Sequence, residues 1–435
     1  MENIIIIISL VLFLYFLIAG QYISSLMFSI GILGIFLIGG MDLLSGFLQN
    51  EPFTRTASYA LTTIPLYILM AQFVMQAGIV KDLYSLMYTI SRGRPGPLGV
   101  MTILLGGLLG GVSGSGTATS AALGQIAVPE LQKRGYPDHL AGTIAAAAGS
   151  LSAIIPPSVI LILYGVVAQI SIGSLFTAAL IPGLLLMLVF SVVAIFYLRM
   201  NREALNAASK TFVSDNVPIS RYIVVTILGS LMGISIFGGI YLGIFSPTEA
   251  GAVGAFIALI MAALLGKLNL DFLRTSLVET TKITVMAMFI VIGASLFGRF
   301  ISLSLVPRKI IDLLGPLLET PTLVIIIIMV FYFFLFMFIE GVAVILMTVP
   351  IITPILETIA VDPLWFGIML TVVCTVGMIT PPVGISVYAV GGVSGIPIER
   401  LFKTSTIFAV VATVVVIGLL IAFPELVTWL PSQMR

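Results

Sequence analysis

Apolar stretches long enough to cross a lipid bilayer recur from one end of this 435-residue chain to the other. Inside hydrocarbon every backbone N–H and C=O must be paired within the protein, so such a chain is confined to bundled helices or a closed barrel. The stretches here are continuous rather than alternating, and about 20 residues suffice for a helical crossing. The fold class that follows is an all-α polytopic membrane protein. Composition agrees, with 60% of residues hydrophobic and 9% charged, far from the balance of soluble domains. The run Ile4 to Ala19 is flanked by Glu2 and no basic residue, so it reads as the first span and not as a signal peptide.

The same composition excludes several functions. One cysteine, Cys374, allows neither an internal disulfide nor a thiolate metal cluster, and one histidine, His139, removes the usual ligand set for zinc, copper or haem. A net charge of +1 without a basic tract offers nothing to nucleic acid. So few acids and bases leave no catalytic constellation, and the chain does not read as an enzyme.

Full spans are expected at about 3–20, 22–48, 56–80, 138–169, 171–198, 222–242, 245–266, 283–306, 363–396 and 405–430. Two further apolar stretches, 98–132 and 322–358, break near their middles. The first has basic flanks at both ends (Arg92, Arg94, Lys133, Arg134), so it enters and leaves on the cytoplasmic side as a re-entrant hairpin. The second has acidic or polar flanks (Glu319, Glu357, Asp362) and reads as a hairpin from the other face. An outside N-terminus puts fourteen of the nineteen basic residues inside, the bias that sets orientation. Residues 81–92 and 268–282 mix apolar and charged positions and read as interfacial amphipathic arms.

The chain repeats itself. Ile154-Ile155-Pro156-Pro157-Ser158 falls on Ile379-Thr380-Pro381-Pro382-Val383 at an offset of 225 (381 − 156). The same shift carries Ser113-Gly114-Ser115-Gly116 onto Phe338-Ile339-Glu340-Gly341. Each half then holds five full spans and one hairpin. An odd number of crossings forces opposite orientations, so the repeat is inverted, a design common in secondary transporters.

The motifs follow from that frame. Ser113 to Thr117 puts two glycines and three hydroxyls at apolar depth, stopping a helix and exposing hard oxygen donors suited to Na⁺. The preceding Gly106-Gly107-Leu108-Leu109-Gly110-Gly111 suits close helix packing. Pro156-Pro157 and Pro381-Pro382 remove backbone donors and break their helices, as expected for discontinuous helices at a midplane site. Gly149, Ser150 and Ser152, with Gly377 and Thr380, can complete cation shells. Glu340, inside an apolar hairpin, is a functional candidate by its position alone, with structural pairing as the alternative. Arg299 carries two readings: a bidentate clamp on an anionic substrate, or a salt bridge or snorkelling side chain. Glu249 reads as an N-terminal helix cap. The substrate set is Ser115, Thr117, Pro157, Ser158, Arg299, Glu340 and Pro382.

These residues resemble a known family, the large membrane (M) subunit of tripartite ATP-independent periplasmic (TRAP) transporters of the dicarboxylate and sialic acid type. The similarity rests on Gly110 to Ser115, Lys133-Arg134-Gly135-Tyr136-Pro137, Ile154 to Ser158, Leu163-Tyr164-Gly165, Gly243 to Ala250 and Thr380 to Gly384, in family order over nearly the entire chain. The resemblance implies an elevator in which a transport domain carrying both hairpins slides within a scaffold, coupled to Na⁺. It divides the chain into 1–92 (scaffold and arm), 93–169 (transport), 170–320 (scaffold and second arm), 321–398 (transport) and 399–435 (C-terminal scaffold span). By resemblance one Na⁺ site maps to Ser113, Ser115, Gly149 and Ser152, and another to Gly341, Gly377 and Thr380. Many members read Leu-Asp-Pro-Thr at the second tip, where this chain has Ile339-Glu340-Gly341-Val342.

The resemblance also implies a small membrane subunit of the Q type and a periplasmic substrate-binding protein of the P type. No extra helices precede the first span, so the small subunit is expected as a separate chain. The expectation is a multi-pass protein of the bacterial inner membrane, importing an organic anion on a Na⁺ gradient. A stand-alone Na⁺/dicarboxylate symporter is the alternative.

Overall fold

A computed structural model describes residues 2–90, 95–200 and 218–434. The expected polar connection between Met200 and Ser220 and the domain boundary at 92/93 lie largely outside the described residues. The first half comprises α1 (Glu2–Ile18), α2 (Ile23–Thr56), α3 (Thr63–Gln76), α4 (Ile79–Ile90), α5 (Pro95–Ser113), α6 (Gly116–Lys133), α7 (Asp138–Ser150), α8 (Val159–Ala168) and α9 (Ile172–Met200). The second comprises α10 (Ile219–Tyr241), α11 (Pro247–Leu264), α12 (Leu270–Leu303), α13 (Val306–Leu314), α14 (Pro321–Phe338), α15 (Gly341–Thr358), α16 (Pro363–Gly377) and α17 (Ile385–Ser394). It closes with α18 (Ile398–Ala412), α19 (Gly418–Ala422) and α20 (Glu425–Ser432).

Among the described residues, nine helices are long and apolar enough to cross a membrane. Helix α9 shows how such a helix divides its surface. Leu184, Leu188 and Val192 recur at every fourth position and stand exposed, while Met187, Phe190 and Ala194 are buried. That apolar outer stripe has hydrocarbon as its solvent.

The backbone carries the repeat independently of side-chain identity. Helices α6 and α15 begin 225 residues apart (341 − 116), as do α7 and α16 (363 − 138). Residues with positive φ pair across the halves at offsets of 223 (243 − 20) to 227 (305 − 78): Gly20 with Gly243, Gly40 with Gly266, Gly78 with Leu305, Gly135 with Ala360 and Gln169 with Gly395. Two of these pairs place a non-glycine residue where its partner is glycine and one does so in reverse. The shared turn geometry, and not glycine itself, is what the halves have in common.

The first expected arm, 81–92, is the separate helix α4 where it is described, but the second differs from expectation. Residues 268–282 are no separate element, because α12 runs unbroken over 34 residues, about 51 Å at 1.5 Å per residue. Their counterpart in the first half is the stretch after Gly40, which continues as helix to Thr56 beyond a break at φ 71°, ψ −167°. Helix α4 corresponds instead to α13. Mixed apolar and charged positions do not distinguish a flat arm from the entering turns of a long span. The C-terminal span likewise starts at Ile398 and not near 405, because Pro397 sets the extended entry (φ −56°, ψ 129°) at its N-cap.

Two groups of helices result. Helices α2 and α12 pack along each other, and α3 packs on α11 and α12. Bare backbone permits the first contact: a Cβ on Gly31 would lie 2.7 Å from Phe297 N, and one on Gly293 2.7 Å from Ser24 O. In the other group, α6 packs on α7 and α17, α14 on α16, and α15 on α8. Each hairpin therefore leans on a broken helix of its own half and on a half-helix of the other. Helix entries carry the expected signals. Ser246 and Glu249 form a reciprocal capping box at α11, with Ser246 N donating to Glu249 Oε2 at 2.7 Å. Asn269 and Asp362 cap α12 and α16.

Candidate functional site

The first hairpin turns over where the sequence loses side-chain bulk. Gly114, with φ +61°, donates its N–H to Gly110 O at 2.8 Å, closing α5 in a conformation that suits glycine. Ser115 then caps α6, its hydroxyl accepting from Ala118 N at 3.4 Å. The glycines before the tip serve packing. A Cβ on Gly110 would lie 2.6 Å from Ser152 Cα, and one on Gly111 2.5 Å from Pro156 O. Hairpin one is thus seated backbone to backbone on the broken helix α7–α8.

That helix stops at Ser150, makes one 3₁₀ turn over Leu151–Ala153 and restarts at Val159. Ser158 rebuilds the start, donating to Ala153 O at 2.6 Å and accepting from Leu161 N at 3.5 Å. The second break runs from Gly377 to Ile385, where Thr380 Oγ1 donates to Val376 O at 2.7 Å and Ser405 Oγ to Ile379 O at 2.7 Å. Both proline pairs are cis.

The tips meet the opposite half. At Gly116 an added Cβ would overlap the Met378 methyl group and lie 3.2 Å from Ser152 Oγ, so the first tip touches both broken helices. At Gly341 it would lie 2.6 Å from Cys374 Sγ and 2.9 Å from Ile160 Cδ1. Gly377 faces Phe336, with the Cβ position 2.5 Å from Phe336 Cβ. Four helix N-termini (α6, α8, α15 and α17) consequently start at the tips and breaks, where N–H groups point outward.

The expected cation residues lie at the tips and breaks. Gly116, next to Ser115, lies against Ser152, and Gly149 against Ser120 of α6; Gly341 lies against Cys374 of α16, and Gly377 against Phe336 of α14. Ser113 ends α5, and its side chain lies outside the described residues. The hydroxyls of Ser152 and Thr380 each donate to a carbonyl one turn earlier, Gly149 O at 2.9 Å and Val376 O at 2.7 Å. Their lone pairs are left to accept or ligate.

Among the substrate candidates, Ser115, Thr117, Glu340 and Pro382 are exposed, whereas Pro157 and Ser158 are buried. Glu340 caps α15, accepting from Ala343 N at 3.3 Å. Arg299 is held elsewhere: its Nε donates to Glu51 Oε1 at 2.7 Å, and its guanidinium lies 5.5 Å from the Phe47 ring centroid. Sequence reasoning did not single out Glu51, whose polar surroundings Gln49-Asn50-Glu51-Pro52 resemble an ordinary loop. It also missed Ser120, whose buried Oγ has no hydrogen-bond partner among the described residues and lies against Gly149.

Residues 10–426 match the family model for the DctM component of the tripartite ATP-independent periplasmic transporter. The chain belongs to that family. It is therefore a large permease component of a TRAP transporter and a multi-pass protein of the bacterial inner membrane. It is 31% identical over 381 residues to the C4-dicarboxylate TRAP transporter large permease DctM of Pseudomonas aeruginosa, covering 87% of this chain and 86% of that one. It is 28% identical over 386 residues to the sialic acid TRAP transporter large permease SiaM of Vibrio cholerae, covering 86% and 87%. The crystal structure of the Alcanivorax borkumensis YdaH transporter superposes with a TM-score of 0.70 over 96% of this chain and 98% of that one. At 14% identity that likeness concerns the fold alone.

Proposed function

We propose that this permease imports an organic anion, a carboxylate such as a C4-dicarboxylate or a sialic acid, driven by a Na⁺ gradient. A periplasmic P-type protein delivers the solute, and a separate small Q-type membrane subunit completes the complex. The observation that carries the reading is the crossed seating of the two tips: Gly116 against Met378, and Gly341 against Ile160. Two breaks of opposite orientation are thereby joined into one site, which neither half forms alone.

Na⁺ is cargo in this reading, and the donor set suits it. Carbonyls of unwound backbone, hydroxyls already committed as donors, and the orphaned Ser120 Oγ are hard oxygen ligands. The exposed Ser115 and Thr117 and the N-termini of α6 and α17 suit a carboxylate. The helix groups support an elevator: hairpins and broken helices move as the transport unit, and α2, α3, α11 and α12 form the scaffold.

The test is uptake of radiolabelled succinate and N-acetylneuraminate by proteoliposomes carrying the full complex, with binding protein outside. Uptake that requires both inward Na⁺ and the binding protein is expected. Undiminished uptake with K⁺ in place of Na⁺ overturns the coupling. Uptake by this chain alone, without binding protein, replaces the reading with a stand-alone symporter.

A further inference from the structure

The C-terminal ends of α2 and α12, on the outer side by charge bias, share a polar cluster that no hairpin-tip residue joins. Glu51 Oε1 accepts from Arg299 Nε at 2.7 Å, while Oε2 accepts from Arg55 Nε at 3.0 Å and Ser295 Oγ at 2.6 Å. One carboxylate thus serves two guanidinium groups. The Glu51 side chain is 10% exposed, yet Arg299 and Arg55 remain 45% and 40% exposed. With each Nε engaged, the terminal Nη groups have no protein acceptor among the described residues. Those groups form the fork that pairs bidentately with carboxylates.

Both arginines line a cavity of about 730 Å³, with Asn50 and Glu51 of α2 on one side and Gln169, at the end of α8, on the other. An adjoining cavity of about 240 Å³ shares Arg55, Arg299 and Gln169 and reaches Leu346 and Pro350 of α15. Helix α15 is the one that starts at the second hairpin tip. The cluster itself carries two positive charges and one negative. Asp42 also lines the larger cavity, but it lies nine residues along the helix from Glu51, roughly 13 Å away.

We propose that this cluster is a receiving site for the organic anion, upstream of the hairpin tips. The carboxylate docks on the free Nη edges of Arg299 and Arg55. Glu51 backs both guanidinium groups and cancels one positive charge, so the anion is held loosely enough to be passed on towards α15. The proposal rests on the reading that the cargo is an organic anion.

The two roles predict opposite signs. Thermal stabilisation of the purified full chain is titrated with potassium succinate and potassium N-acetylneuraminate, at constant ionic strength against potassium chloride. Arg299→Gln and Arg55→Gln should each raise the half-saturating anion concentration about tenfold, the size of one lost charge-assisted bond. Glu51→Gln should lower it about tenfold, because the site gains net positive charge, and Glu51→Asp should restore the wild-type value. General loosening of the fold cannot produce that reversal, and the melts themselves report folding. Shifts in the same direction, no shift in either variant, or no anion-specific stabilisation of the wild-type chain overturns the proposal. Absent Na⁺-driven uptake with anion binding intact would instead remove the transport reading and leave this site standing.

Discussion

Tyr164 lies over the bare backbone of Gly367 and donates its hydroxyl to Pro363 O at 2.6 Å, fastening the second part of one broken helix to the first part of the other. A Cβ at position 367 would overlap the Tyr164 ring. Gly367→Ala should therefore destabilise the protein by about 1–3 kcal/mol, the usual cost of overpacking. Tyr164→Phe should cost less, about 1 kcal/mol for the lost hydrogen bond. Melting of the purified protein in detergent checks both, and a neutral Gly367→Ala would contradict the contact.

The glycines divide by what their missing side chains would meet. Gly110→Ala puts a methyl group 2.6 Å from the Ser152 backbone, so hairpin one must lift from its seat. Uptake should fall sharply and the melting temperature with it. Gly229 on α10 has nothing within 4 Å, and Gly229→Ala should be neutral or stabilising by up to ~1 kcal/mol. Parallel melts and uptake assays of the two variants separate packing from flexibility.

Loss of one hydroxyl at each tip tests the cation shells. Ser115→Ala and Thr380→Ala should each raise the half-saturating Na⁺ concentration about tenfold, equivalent to ~1.4 kcal/mol, without loss of membrane expression. The measurement is initial uptake against external Na⁺ in proteoliposomes. An unchanged Na⁺ dependence would remove these residues from the ion sites.

Asp82 on α4 is 5% exposed and accepts from Arg221 Nε of α10 at 2.6 Å. Arg221→Ala strands a buried carboxylate and should cost about 2–3 kcal/mol, less than a fully buried pair because Arg221 keeps part of its surface in solvent. Replacing both by alanine should recover part of that loss. Lys133→Ala, which breaks a surface pair with Glu130 at 2.6 Å, should cost less than ~1 kcal/mol. A double-mutant cycle by chemical or thermal melting gives the comparison.

How far each feature was legible in the sequence depends on whether it is local. The hairpin tips and breaks were readable because glycine, serine and proline act on the backbone where they stand. The structure ends α5 at Ser113, directly before Gly114, and α14 at Phe338, just before the break at Glu340-Gly341. The 225-residue register was readable because the two proline pairs mark it. The partner of Arg299 was not, since Glu51 lies 248 residues away and nothing in its neighbourhood distinguishes it from a polar loop. The continuation of α2 beyond the expected end at 48, to Thr56, was hidden too, because a helix that kinks and then carries polar residues resembles a span followed by a loop.

The contact between Gly116 and Met378 also sets a schedule for biosynthesis. The two residues are 262 positions apart (378 − 116), which at about 5–20 residues per second is a delay of roughly 13–50 s. Throughout that interval the first tip, seated on the broken helix of its own half, lacks the Met378 side of its surroundings. The first half is inserted incomplete, and translation of the second half supplies the surface that closes it.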